Sequence, residues 1–538
     1  MKIKKRTTTI IILAVLFAVL LAVYFVFVHP LVLETIDSSV KLDLLDGEIQ
    51  ITDKLTTFYI YEPIQRSSIK TIKVKNEHGG FTVSREIKNT TSANGGQPAL
   101  SLGDFVLNGH KGLPFDDNKL ASLIVTTGMP VAMMRVAQGL GDDTDALAQY
   151  GLDEPQASWT LTKTDGAEFT VYVGDELITE GGYYVKYSDR DAVYIMSLTL
   201  ADTVLEPGYS LLSPKIISGL TENNYYLIDT FAVMKGEDLF VAVERVPEYL
   251  TADGASLELK MVYPRPDNNS SDGFYQLNED LYFEVLYNFI DMTGEKVVAL
   301  MPKQDDLEKY GLADPEYSIV LTSGKTEVDI FVSSRQENGK FYAVSSMYGF
   351  AMICEMPESS SFGWLEYGQF KWIEKMPFYV DITTVSRLTV NGGGRNVDFS
   401  LKHGKDEGGY ATLEVTEKNS GKLFAGDDVA NFRKYYLTLM NITNQEYASL
   451  SDEDKTALTG DDTKLVMTMT YENTSGEIFE YKFYKYYETS TGHLYGGKLF
   501  VTVNGIGEFY TTNDLVEKAL SDADRVMDGL DVDSYGHR

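Results

Sequence analysis

The sequence predicts an α+β protein: three related units, each an antiparallel β hairpin, a packed helix and a β-meander, after an N-terminal transmembrane helix. Three observations predict it. The element Tyr150-Gly151-Leu152-Asp153-Glu154-Pro155 returns 160 residues later as Tyr310-Gly311-Leu312-Ala313-Asp314-Pro315. Each copy leads into the same run of alternating apolar and polar residues broken by Gly and Asp, the pattern of an antiparallel meander. A basic cluster at the start of the chain precedes a long uncharged apolar stretch. Internal repetition of this kind sets the architecture before any single residue is interpreted.

The first element is the apolar stretch. Lys2, Lys4, Lys5 and Arg6 form a basic tail over residues 1–6, and residues 7–28 carry no charge. Residues 10–28 are continuously apolar, and nineteen residues at about 1.5 Å each approach the ~30 Å hydrocarbon core of a bilayer. The cluster of positive charge predicts a cytoplasmic N-terminus and a single-pass cell-membrane protein with the bulk of the chain outside the cytoplasm. A cleaved signal peptide fits less well: its apolar region is usually shorter, and Phe27-Val28-His29-Pro30 is no small-residue cleavage site. Residues 29–65 follow as a membrane-proximal segment.

The first unit is placed at 66–205. Residues 69–74 and 81–85, around Gly79-Gly80, read as a hairpin. Asp116-Asp117 opens a helix with Leu120, Leu123 and Ile124 on one stripe. The signature then ends a short helical turn over 146–150. Gly151 takes the left-handed position, Leu152 folds back on the turn, and Pro155 stops the helix resuming. Strands over 158–162, 168–173, 183–187 and 192–196 make the meander.

The second unit, 222–360, repeats the order: a hairpin over 231–234 and 239–245, then a helix from Asn278 with Leu281, Val285 and Phe289. Tyr310, Gly311, Leu312 and Pro315 are its signature, and Ile319, Leu321, Val328, Ile330 and Val332 lie in its meander. A divergent third unit spans 380–516. Its hairpin is 385–390 and 397–401, and its helix opens at Asp427-Asp428 with Val429, Phe432, Tyr436 and Leu439. Leu458 takes the signature leucine's place, Ala457 stands where glycine should be, and the proline is missing. Residues 89–98 and 265–273 read as polar hairpin loops, 205–221 and 357–377 as connectors, and 517–538 as a solvated acidic tail.

At these residues the chain resembles a bacterial family catalogued as domain-of-unknown-function family 4340. The resemblance rests on the YGL-x-[DE]-P signature, the turn at 161–166 and the Gly181-Gly182-Tyr183-Tyr184-Val185 strand. It covers 66–205 and 222–360 and weakens after 380. It implies a single-pass, membrane-anchored exported protein, encoded beside ABC-type permease and gliding-motility-type auxiliary components. It supplies no catalytic residue and no cofactor.

The chemistry of the residues points the same way. A formal charge of −32 argues against nucleic acid and anionic lipid as partners. The single cysteine, Cys354, lies in an apolar run and reads as a buried strand residue. Residues 492–498 have the spacing of a phosphate loop, but Leu499 replaces the required hydroxyl and strand sequence follows. Ser67-Ser68-Ile69-Lys70 has Ser-x-x-Lys spacing without its partner motifs. The six histidines lack metal-ligand spacing, and the tail aspartates Asp522, Asp524, Asp528, Asp531 and Asp533 lack the order of a calcium loop. The expectation is therefore a non-enzymatic envelope scaffold, with protein partners such as an ABC-type permease. The alternative is a wall-glycan-binding module or hydrolase, with Trp159, Tyr183, Tyr184 and Trp364 as sugar-stacking rings.

Overall fold

A computed structural model describes residues 42–51, 56–90, 99–141, 143–177, 181–246, 258–265, 275–357, 362–378, 380–488 and 491–534. The basic tail, the expected transmembrane helix at 7–28 and most of the two polar hairpin loops lie outside these residues. Among the described residues no helix is long and apolar enough to cross a membrane. The fold is α+β, dominated by antiparallel sheet with few helices. The described chain forms two compact units. One runs to Lys215 and includes Thr293–Pro302 and Phe350–Glu355; the other comprises Ile216–Met292, Lys303–Gly349 and the chain from Met356 onward.

In the first unit, β1 (Ile49–Gln50) and β2 (Phe58–Tyr59) precede the hairpin β3 (Ile69–Lys75) and β4 (Phe81–Ser84). A small ladder, β5 (Ile87–Thr90) with β6 (Ala99–Leu102), flanks the first polar loop, and β7 (Val106–Leu107) follows. Helix α1 (Asp117–Gly128) starts where the Asp116 carboxylate accepts from the Asn118 and Lys119 amides, and it buries Leu120, Leu123 and Ile124 as the spacing requires. Next come β8 (Val131–Ala132), β9 (Met134–Gln138) and helix α2 (Thr144–Ala148). The meander is β10 (Ala157–Lys163), β11 (Glu168–Leu177), β12 (Gly182–Tyr187) and β13 (Ala192–Ser197). Hairpin and meander are one eight-stranded sheet, ordered β7-β4-β3-β10-β11-β12-β13-β9, joined where β3 pairs with β10. A buried polar knot ties the segment around Glu48 to it. The Glu48 carboxylate accepts from the Tyr194 hydroxyl at 2.8 Å, from Arg135 at 2.9 Å and from the Leu45 amide at 2.8 Å. Three donors satisfy a charge that burial alone would make costly.

The second repeat has β14 (Thr230–Lys235), β15 (Asp238–Val246), β16 (Glu258–Tyr263), α3 (Glu279–Tyr287), β17 (Lys296–Leu300) and α4 (Gln304–Lys309). Strands β18 (Tyr317–Ser323), β19 (Thr326–Val332), β20 (Phe341–Ser345) and β21 (Met352–Met356) follow. Within the second unit the ladders run β16-β15-β14-β18-β19-β20. Strands β17 and β21 pair with each other, as β9 and β13 do. The buried stripe of α3 is Tyr282, Val285 and Leu286, with Phe289 just beyond; Leu281, expected there, is only half-buried. The stretch expected as a connector at 357–377 instead fills the second core. Trp364 and Trp372 each stand 5.8 Å from Phe231, which also meets Tyr282 and Phe289.

The third repeat has β22 (Val385–Gly392), β23 (Arg395–Lys405), β24 (Ala411–Glu417), β25 (Leu423–Phe424), α5 (Asp427–Met440), β26 (Glu446–Tyr447) and α6 (Asp452–Thr459). Its meander is β27 (Leu465–Asn473), β28 (Ile478–Glu488), β29 (His493–Val503) and β30 (Ile506–Thr512). The sheet order is β25-β24-β23-β22-β27-β28-β29-β30-β26. One central position of each of the three sheets is paired in the same way. Trp159 sits opposite Val74 and Val171, Ile319 opposite Val233 and Ile330, and Met469 opposite Val390 and Tyr481. All three central residues are fully buried.

The expected acidic tail is a correction. Residues Asn513–Met527 form helix α7, which buries Val516, Ala519, Leu520, Asp522, Ala523 and Val526 in the core of the third repeat. Asp522 is buried because it is paired, with the Thr438 hydroxyl at 2.9 Å and the Lys518 ammonium at 2.6 Å.

Candidate interaction surface

The signature residues are held in one local geometry. The Gly151 amide donates to Ala148 and the Leu152 amide to Leu147, at 3.1 and 3.2 Å, which is the bond pair of a Schellman close. Gly311 and Leu312 repeat it onto Glu308 and Leu307 at 3.2 and 2.7 Å. Both glycines are left-handed, with φ of 63° and 68°. Leu152 and Leu312 are buried, while Pro155 and Pro315 are half-buried where the chain enters the next strand. Tyr150 packs on Tyr184 at 5.0 Å and Tyr310 on Tyr342 at 4.8 Å, each onto the third strand of its meander. The eight signature residues therefore close helices and dock them on sheets. In the third repeat α6 runs through Ala457 to Thr459, and Gly460 is right-handed with φ of −84°. Ala457 thus lies inside the helix rather than in a glycine's place, and Leu458 fills a small core with Leu450, Tyr484, Tyr486 and Phe500.

Among the described residues Tyr172, Tyr226, Tyr287 and Tyr410 are exposed, beside aliphatic side chains, and two tyrosine clusters stand out. In the second repeat, Tyr225 stands edge-to-face with Tyr226 at 5.7 Å, Tyr287 at 5.7 Å and Phe283 at 6.5 Å. Tyr287 is 52% exposed, Tyr226 39% and Leu227 38%, so this cluster faces solvent. The Tyr287 hydroxyl donates to Glu222 at 3.2 Å. In the third repeat Tyr486 stacks with Tyr495 and Tyr510, and the Lys498 ammonium lies 4.0 Å from the Tyr510 ring. An open groove of about 770 Å³ follows α7, lined by Asp514, Glu517, Lys518, Ser521, Asp522 and Arg525 among others.

Residues 106–218 match the family model described as domain of unknown function (DUF4340). The match runs from β7 through the meander of the first repeat, leaving out the hairpin β3–β4 that pairs into the same sheet. No curated protein and no solved structure matches the chain.

Within the matched residues, Trp159 is fully buried and its indole N–H reaches the Tyr61 hydroxyl at 3.5 Å; Tyr183 is buried and Tyr184 half-buried beneath the signature tyrosine. Trp364, the other ring considered for sugar stacking, lines the core of the second repeat. The phosphate-loop-like residues 492–498 enter strand β29, and Ser67 to Lys70 pass from a single 3-10 turn into β3. Cys354 is buried on β21, and burial pushes its thiol up to about 12, so it is protonated at neutral pH. His403 bonds the Val385 carbonyl at 2.8 Å. Among the described residues no group of three or more His, Cys, Asp and Glu is placed to hold a metal ion. The exposed tyrosine cluster carried no signal in the sequence beyond Tyr225-Tyr226 itself, because its rings come from two segments sixty residues apart.

Proposed function

We propose that this protein is a single-pass, membrane-anchored exported scaffold, an accessory subunit of an envelope complex of the ABC-transport or gliding-motility kind. The observation that carries this reading is the division of labour among its tyrosines and signature residues. The repeated signature is used in folding, register repeats one sheet design three times, and a tyrosine cluster of the second repeat is left open to solvent. Exposed, rigidly held tyrosines are characteristic of protein-binding surfaces, because a large contact area is ordered at small entropic cost. The apolar stretch at 7–28 and the basic residues before it supply the anchor and its orientation. The wall-glycan reading draws less support, since Trp159, Tyr183 and Trp364 are buried.

Two measurements test the proposal. The full chain, extracted in mild detergent, is expected to bring a membrane partner with it; recovery as a lone monomer overturns the scaffold role. A periplasm-active reporter fused after residue 538 is expected to be active, and a cytoplasm-active one silent; the reverse pattern overturns the orientation. Retention of the chain on purified wall polymer would displace the scaffold reading by the glycan one.

A further inference from the structure

We infer that the tyrosine cluster of the second repeat, Tyr225, Tyr226, Leu227, Phe283 and Tyr287, is a docking surface for an arginine- or lysine-bearing segment of a partner protein. This inference rests on the scaffold reading and names the chemistry of its partner. Charge complementarity selects the occupant. The two stretches that build the surface, 216–234 and 275–292, are acidic, and Glu222, Asp280 and Glu284 lie exposed on them. Asp229 is paired within the fold, on Arg245. Glu222 sits at the edge of the Tyr287 ring, accepting its hydroxyl at 3.2 Å. On α3, Asp280, Glu284 and Tyr287 follow at helical spacings of four and three, and all three are exposed. The Glu279 carboxyl is held above the usual carboxylate range by burial and by the charges of Asp280 and Glu374, and the Glu222 hydrogen bond raises the Tyr287 phenol.

Electron-rich ring faces beside exposed carboxylates are the recognition set for a cation. Elsewhere the protein serves its tyrosines from within: Lys371 lies 4.0 Å from the Tyr367 ring, Lys464 4.2 Å from Tyr487 and Lys498 4.0 Å from Tyr510. In the second-repeat cluster the three neighbours of Tyr225 stand at interplanar angles of 84°, 86° and 89°, so the rings brace one another and do not form a flat platform. A neutral glycan would use the rings but gain nothing from the charge. Nucleic acid and anionic lipid would be repelled.

The test uses the full chain in mild detergent at fixed ionic strength. The probe is a fluorescent peptide of alternating arginine and leucine, compared with the same peptide in which citrulline replaces arginine. Anisotropy is expected to show the arginine peptide bound about ten-fold more tightly than the citrulline one. Tyr226→Ser with Tyr287→Ser, which removes rings and no formal charge, is expected to weaken the arginine peptide about ten-fold. Tyr226→Phe with Tyr287→Phe keeps the ring faces and should stay within about two-fold of the wild type. Unchanged affinity in the serine variant would assign binding to bulk acidity and overturn the inference, as would equal binding of the citrulline peptide. A neutral wall oligosaccharide bound in place of the peptide, and lost in the serine variant, overturns it in favour of a glycan site. Thermal melts check that both variants fold, and the phenylalanine variant decides the matter if the serine one does not. Co-purification separates the two readings. A partner retained by the serine variant sinks this surface and leaves the scaffold standing; a wild type that binds peptide yet leaves the membrane alone sinks the scaffold and leaves the surface.

Discussion

At the scale of single residues, Gly151 and Gly311 show how the same letter carries different weights. Both are left-handed, a conformation that costs other residues roughly 1–2 kcal/mol. A β-carbon on Gly151 would also meet the Asp175 carboxylate and stand 2.8 Å from the Asp175 backbone nitrogen. On Gly311 the nearest atom is the Gln336 amide nitrogen at 2.8 Å, the far end of a flexible side chain. Gly151→Ala is therefore expected to destabilise by more than Gly311→Ala, each by at least about 1 kcal/mol in urea titration. Equal effects would contradict this geometry. Asp229 gives a second test. Its carboxyl is held below the usual range by the Gly324 amide and then by Arg245. A depressed acid contributes stability that is present above the unfolded value, about 3.9, and is lost as pH falls through the folded one. Asp229→Asn should lower the melting temperature at pH 7 and flatten its decline towards pH 3; a parallel shift at every pH would rule the pairing out.

At the scale of elements, α7 is where composition misled. Its carboxylates made residues 517–538 read as solvated, yet Val516, Ala519, Leu520, Ala523 and Val526 recur at helical spacing and are buried. The signal was present but outweighed by charge count. The helix end is tied down from the turn between β24 and β25, where the Lys422 ammonium donates to the Val526 and Met527 carbonyls at 3.2 and 2.7 Å. Leu520→Ala is expected to cost about 2–4 kcal/mol, and Asp528→Asn, at the exposed C-cap, less than about 0.5. A solvated tail would give two nulls in the same denaturation experiment. Helix α6 teaches the reverse lesson. With Ala457 in place of a chain-breaking residue the helix simply continues, since alanine has the best helix propensity of all.

At the scale of the whole molecule, the second unit joins two repeats through aromatic contacts. Phe370 meets Tyr447 at 5.8 Å and Phe509 at 5.7 Å, and Tyr275 meets Phe509 at 5.4 Å. The Asn444 amide reaches the Lys375 carbonyl at 2.6 Å beside them. Phe370→Ala should destabilise by about 3 kcal/mol and uncouple the third sheet from the second, seen as two calorimetric transitions where the wild type is expected to show one for this unit. A single transition at lower temperature would mean that the repeats are coupled elsewhere.

What the sequence by itself determined was local. The Schellman closes at Gly151 and Gly311, the N-caps at Asp116 and Asn278, and the alternation of β10, β18 and β27 each depend on fewer than about ten consecutive residues, so their physics is complete within the string. The tertiary structure decided everything that required two distant stretches to meet. It joined hairpin to meander at β3–β10, β14–β18 and β22–β27. It folded Trp364 and Trp372 back onto Phe231, seated α7 on the third core, and brought Tyr287 beside Tyr225. Such pairings are chosen by the area each surface buries against competing surfaces, a quantity that no window of sequence contains.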